Sequence, residues 1–234
     1  MAWIKSLLVT LLVLVALLVG LCFGLYAIGA SQFPDDLEPN GYRAAPELRA
    51  LYRQVETGDI DDVPRLNPVS VWGYWLLYVA DPQRGPLDDQ LRLLGHAGRS
   101  LVMRQPPARG ARWHLANLAA TVRVSRHWEM DRMVDTLLAE GGFGRNTTGI
   151  EQAAQAWYGL PLGDLVAEER LLLVALMKGP SYYDPTCFPE RFATRYRWAV
   201  AQTGMADPNA ASVRALARLR PQPCPASVGA PAIP

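Results

Sequence analysis

The chain has 234 residues, half of them apolar, with 23 basic and 22 acidic side chains and a net charge of +1. That near-neutral balance leaves no basic footprint for nucleic acid, and the length accommodates one domain plus a membrane anchor. Cys22, Cys187 and Cys224 lack metal-ligand spacing, and His96, His114 and His127 complete no metal signature, so they read as surface or helix-end residues and no metal site is expected.

From Leu7 to Ala30 there is no charge, a run long enough to span a hydrocarbon core of about 30 Å. Residues 1–32 are therefore expected to form a transmembrane anchor; cleavage as a signal peptide at the small residue Ala30 is the alternative. Lys5 lies on one side of the span and Arg43 and Arg49 on the other, so charge alone leaves the orientation open. Residues 33–68 read as a juxtamembrane linker with an amphipathic helix over Ala44–Val55. Val69–Val79 holds Trp72, Tyr74, Trp75 and Tyr78 and is expected to be a buried strand or helix, with membrane contact as the other reading. Helices are expected over Leu87–Leu94, Ala111–Arg126 and Glu129–Glu140, with Pro106-Pro107 as a break.

Ile150, Ala153, Ala154 and Trp157 recur at helical spacing, and Gly159 and Pro161 end that helix. Asp164 is placed to cap the next one, and Glu168 and Glu169 suit its first turn. Leu171–Met177 is apolar nearly all round, as in a core helix, and Lys178 sits at its C-terminal end. A further helix begins near Glu190, and residues 206–234 read as a tail, disordered from Pro221 onward. Cys187 and Cys224 are able to pair if both face an oxidising compartment. No internal repeat and no S-x-x-K or K-T-G transpeptidase motif is present.

The run G-I-E-Q-A-A-Q-A-W-Y-G, followed by an acid-led apolar helix and then M-K-G-P-S-Y-Y-D-P, carries more information than any single element. It resembles the C-terminal half of the peptidoglycan glycosyltransferase domain, glycosyltransferase family 51. That pattern is close to G-I-E-x-A-A-x-x-Y-F-G, then L-x-x-A-E-x-A-L-L-A-x-L, then K-A-P-S-x-Y-N-P. Gly149, Ile150, Glu151, Ala153, Ala154, Tyr158, Gly159, Glu169, Lys178, Pro180, Ser181, Tyr183 and Pro185 fall on it without a gap. The resemblance implies a mostly α, lysozyme-like lobe over residues 69–205, with its jaw reduced, preceded by one transmembrane helix.

Such domains join disaccharide units from a lipid-linked pyrophosphate donor, using a carboxylate as general base and cations to hold the departing phosphates. At the position of that base this chain has Ala80, with Asp81 beside it. Gly98, Ser100 and Gln105 match the second motif, G-G-S-T-I-T-Q-Q, but a double proline follows where the family carries a Lys-bearing helix. Arg112-Trp-His-Leu-Ala-Asn117 lies where R-R-K-x-x-E belongs; His114 replaces the Lys and Asn117 the Glu. Asp135 stands at a Glu position of the fourth motif, and Arg195 and Val200 keep part of the fifth.

The resemblance thus implies a degenerate glycosyltransferase in the bacterial cytoplasmic membrane, single-pass and facing the periplasm or extracytoplasmic space. Ser100, Gln105, Arg112, Lys178 and Glu151 are its substrate-binding candidates, and no residue is assigned as catalytic. Its implied partners are the membrane, lipid-linked precursor or glycan strand, and cell-wall synthesis proteins. No cofactor is implied, although a divalent cation would accompany an active site of this kind. A divergent active enzyme using Asp81 and a membrane-tethered structural adaptor are the other readings.

Overall fold

The computed structural model describes residues 2–33, 41–58, 60, 62–80, 85–105, 109–205, 207–220 and 223–224. Among them are ten α-helices, one short 3-10 helix and no strand. In chain order the helices are α1 (Ala2–Ala30), α2 (Pro46–Glu56), α3 (Ser70–Ala80), α4 (Gly85–Met103), α5 (Ala111–His127), α6 (Met130–Glu140), α7 (Ile150–Tyr158), α8 (Ala167–Leu176), α9 (Pro189–Thr203) and α10 (Pro208–Ala217). The chain divides into two compact units, Met1–Pro39 with Ile60–Met133, and Asn40–Asp59 with Val134–Pro234.

In the first unit α1 is long and apolar enough to cross a membrane over Trp3–Ala30, and most of its leucines and valines are exposed. Its C-terminal end is different: Cys22, Ala30 and Phe33 are buried. Here α1 lies against α5 so closely that a Cβ on Gly29 would stand 2.1 Å from the Leu115 carbonyl oxygen. Gln32 Nε2 donates to the Arg112 carbonyl at 3.1 Å, and the Arg123 guanidinium sits 5.0 Å over the Phe33 ring. The end of the apolar helix is therefore part of the packed unit.

Asn67 starts α3, its side-chain oxygen accepting the Val69 and Ser70 N–H groups at 2.9 Å. The expected burial of this aromatic segment does not hold: Leu76 is 61% and Leu77 41% exposed. The helix α4 runs well beyond the expected Leu94. Gly98 lets it approach α5, because a Cβ there would meet the Thr121 amide nitrogen at 2.8 Å.

The second unit is built around α8, whose Leu171–Leu176 run is fully buried and is touched by α2, α7, α9 and α10. Asp164 does not cap this helix, since it belongs to the 3-10 turn Leu162–Asp164. Glu169 does that work instead, accepting the Val166 N–H at 3.0 Å, and its buried carboxylate is neutralised by Arg218 Nε at 2.8 Å. Arg195 forms a buried ion pair with Glu56, joining α9 to α2. Part of the expected tail is the helix α10, with Asp207 accepting the Asn209 and Ala210 N–H groups and Pro208 in its first turn.

Beyond α10 the Arg220 N–H donates to the Trp157 carbonyl at 2.8 Å, and Cys187 and Cys224 form a disulfide with Cα atoms 5.5 Å apart. The bond closes a separation of 37 residues, for which chain entropy gives about 4 kcal/mol. Reduction is expected to lower stability by about 2–4 kcal/mol in urea unfolding of the detergent-solubilised chain; an unchanged midpoint would show that the arm adds nothing.

Gly149 opens α7 with φ +85°, and a Cβ there would stand 2.6 Å from the Ala139 carbonyl oxygen. An alanine must adopt the left-handed backbone, which costs roughly 1–2 kcal/mol, and must also push a carbonyl aside. Gly149→Ala is expected to destabilise the chain by about 2 kcal/mol or more, read from its urea midpoint. A loss under about 0.5 kcal/mol would mean the backbone relaxes freely here.

Candidate functional site

Three helices of the first unit enclose a groove of about 590 Å³. Its floor is Leu66, held by an amide N–H that donates to Ser125 Oγ at 2.9 Å. Val71 and Tyr74 of α3 form one wall, Arg92, His96 and Arg99 of α4 another, and Trp113, His114 and Asn117 of α5 the third. The polar side chains on α4 recur at roughly one-turn intervals, which brings them to a single face.

Trp113 organises the mouth. The Arg99 guanidinium lies 5.4 Å over its ring, and the His114 imidazole meets it edge-on with centroids 5.0 Å apart. A guanidinium over an indole face is attracted by the ring quadrupole, so Trp113 orients Arg99. Arg92 is paired with Asp89 on its own helix. Asn117 Nδ2 donates to the Trp113 carbonyl at 2.8 Å, which spends part of its hydrogen-bonding capacity on α5 itself. Among the described residues that line the groove, none is an Asp or a Glu. The described walls thus offer guanidinium and imidazole groups to an anion and no carboxylate base.

The proposed site residues fall in several places. Asn117 lines the groove, whereas Ser100, Gln105 and Arg112 are not among its described lining residues. Ser100 is half-buried on α4 and Gln105 half-buried just after it, while Arg112 is exposed in the first turn of α5. Ala80 ends α3, and Asp81 lies outside the described residues. Arg99, His96 and Arg92 were missed as site residues because on sequence they read as an ordinary polar helix face. The signal that was available is the near one-turn spacing of Arg92, His96 and Arg99, which runs into the second motif.

Glu151 and Lys178 belong to the second unit and are both exposed. The Tyr42 hydroxyl donates to Glu151 Oε1 at 3.4 Å, and burial together with the Glu151 charge pushes its pKa up to about 12. Tyr42 thus stays a donor at any physiological pH. Near Lys178, Asp184 accepts from Arg145 Nε and Nη2 at 2.9 Å each and from the Thr186 N–H at 2.8 Å. The segment that carries the strongest resemblance is thereby locked in place by a buried ion pair.

Asp135, which the resemblance places in the fourth motif, is 1% exposed and is not among the described residues that line the groove. It accepts from Arg49 Nε at 2.8 Å, Arg49 Nη2 at 2.9 Å and the Ala44 N–H at 3.0 Å. All of its visible chemistry ties α6 to the segment leading into α2.

Residues 99–204 match the transglycosylase family, a match that begins downstream of Ala80 and Asp81. Penicillin-binding protein 1A of Mycolicibacterium smegmatis is 35% identical over 95 residues, which is 41% of this chain and 12% of that protein. Penicillin-binding protein 1A of Mycobacterium tuberculosis is 33% identical over 95 residues, 41% of this chain and 11% of its own length. A biosynthetic peptidoglycan transglycosylase of Acinetobacter baumannii is 36% identical over 64 residues, 27% of this chain and 28% of that protein. The match therefore spans little over a quarter of even the shorter relative. Residues 99–204 thus match the transglycosylase family model, and this segment is similar to penicillin-binding protein 1A and to the biosynthetic peptidoglycan transglycosylases.

Proposed function

We propose that this chain is a membrane-anchored, catalytically silent relative of the peptidoglycan glycosyltransferases. On this reading α1 holds it in the bacterial cytoplasmic membrane, and residues 69–205 stand on the periplasmic or extracytoplasmic side. There it binds lipid-linked wall precursor, glycan or a wall-synthesis partner without polymerising. The observation that carries the reading is the groove at His114 and Asn117: cations and aromatic rings line it, and no carboxylate does among the described lining residues. The docking of Gly29 on Leu115 supports retention of α1, because the end of the helix contributes to the folded unit.

Arg112 projects from the turn of α5 that also bears Trp113 and His114, and a guanidinium grips phosphate through two parallel hydrogen bonds. Lipid-linked disaccharide at about 100 times its dissociation constant is expected to stabilise the chain by roughly 2.7 kcal/mol. Arg112→Ala, at an exposed position, should fold normally and lose most of that protection. A thermal melt that ignores the precursor, or that shifts equally in the variant, would leave the groove vestigial and favour the adaptor reading.

A further inference from the structure

We infer that α3 and the groove behind it form a seat for an anionic phospholipid of the surrounding bilayer, its phosphate held by Arg99 and His114 and its acyl chains lying along Leu76 and Leu77. The first ground is depth. The apolar span ends at Ala30, and Gly29, one residue earlier, is packed on Leu115. Leu115 neighbours His114 and lies within one turn of Trp113 and Asn117, and one turn rises about 5.4 Å. The α5 wall of the groove is therefore tied to the level at which hydrocarbon gives way to headgroups.

The second ground is that α3 has two apolar sides with different surroundings. Val71 and Tyr74 face the groove, while Leu76 and Leu77 are 61% and 41% exposed in the same unit as the spanning helix. Apolar side chains exposed on a helix that shares a groove with α5, on which the anchor packs, are covered by lipid at little cost, as in interfacial helices. Tyr74 and Trp113 at the groove supply the amphipathic rings that favour the membrane–water boundary.

The third ground is charge. Arg99 is held over Trp113, and the groove lining has cations and no carboxylate among its described residues. A phosphate monoanion such as that of phosphatidylglycerol meets Arg99 and His114, while the charge of Arg92 is already balanced by Asp89. A zwitterionic headgroup brings its own cation into the same walls. A volume of about 590 Å³ falls in the usual range of small-ligand sites and admits a glycerophosphate head.

The inference rests on α1 lying in the bilayer, as proposed above; precursor would compete for the same groove and is left out of the test. The test uses the full chain in nanodiscs of equal parts phosphatidylglycerol and phosphatidylcholine, without precursor. Incorporation into the discs reports the anchor separately. Lipid retained after transfer to detergent is counted by native mass spectrometry. The wild-type chain should retain phosphatidylglycerol over phosphatidylcholine by about tenfold. Arg99→Gln with His114→Gln should return the ratio to that of the bulk, and Leu76→Ser with Leu77→Ser should reduce the total retained several-fold. Arg197→Gln, at an exposed arginine of the other unit, should behave as wild type. Should the double groove variant lose helicity, Arg99→Lys replaces it; it keeps the charge without the fork and should lower the preference about threefold. A wild-type chain that retains lipid in the bulk ratio, or groove variants that keep the preference, would overturn the inference. So would displacement of the lipid by inorganic phosphate alone, which would mark a site for free anion.

Discussion

Asp135→Ala is expected to remove about 3–5 kcal/mol of stability, enough to unfold a marginal domain. The carboxylate is 1% exposed and accepts both nitrogens of one guanidinium edge, with Arg49 itself only 17% exposed. Deleting one member of such a pair leaves the other buried without compensation, which is what makes the loss large. Arg49→Ala should cost a similar amount for the same reason. Asp135→Asn should cost less, because an amide oxygen can still accept from the Ala44 N–H that now bonds Oδ1 at 3.0 Å. Urea unfolding of the three variants, with the double variant closing a cycle, measures the coupling. Near-additive losses would show that the pair contributes nothing beyond its separate packing.

The second large effect is on catalysis. Purified chain supplied with lipid-linked disaccharide in detergent is expected to make no glycan polymer. On the proposed reading Ala80 stands at the position of the general base, and Asn117 stands in place of the third motif's supporting carboxylate. Loss of a general base typically lowers a rate by about 10²–10⁴-fold, and weaker support of the departing pyrophosphate multiplies it. The informative control is Asp81→Ala. Asp135 is unsuitable as one, because its removal would abolish product by unfolding the protein. Polymer made by the wild type and lost in Asp81→Ala would refute the silent reading and identify Asp81 as a relocated base.

The helices were legible wherever an apolar stripe kept helical spacing. Leu48, Tyr52 and Val55 give α2, and Ile150, Ala153, Ala154 and Trp157 give α7, all of them buried. What misled was composition read without partners. The aromatic run of α3 looks like core, yet Leu76 and Leu77 face outward. The helix expected to stop at Leu94 continues through Gly98, where α5 comes close. The helix α10 carried a readable signal in Asp207-Pro208, a capping acid before a first-turn proline, hidden within an Ala- and Pro-rich tail. For the groove, motif spacing singled out the α5 segment that bears His114 and Asn117, because the resemblance is local in sequence. It could not find the Arg99–Trp113 stacking, which brings α4 and α5 together across a break, or the Arg49–Asp135 pair, whose members are 86 residues apart.

The separation of those partners bears on how the protein is made. The second unit consists of Asn40–Asp59 and Val134–Pro234, with the rest of the first unit threaded between. Arg49 leaves the ribosome 86 residues before Asp135, and Glu56 leaves 139 residues before Arg195. At about 5–20 residues per second, each early member waits on the order of 4–30 s for its mate. During that interval α2 has no core to join, while Ile60–Met133 already has α1 to settle against. Biogenesis thus has an order written into the connectivity: the first unit's residues are made before α2 meets its partners, and this early amphipathic segment stays open until Asp135 and Arg195 have followed. Cys224 follows Cys187 by 37 residues, so the disulfide closes only after α9 and α10 have been made.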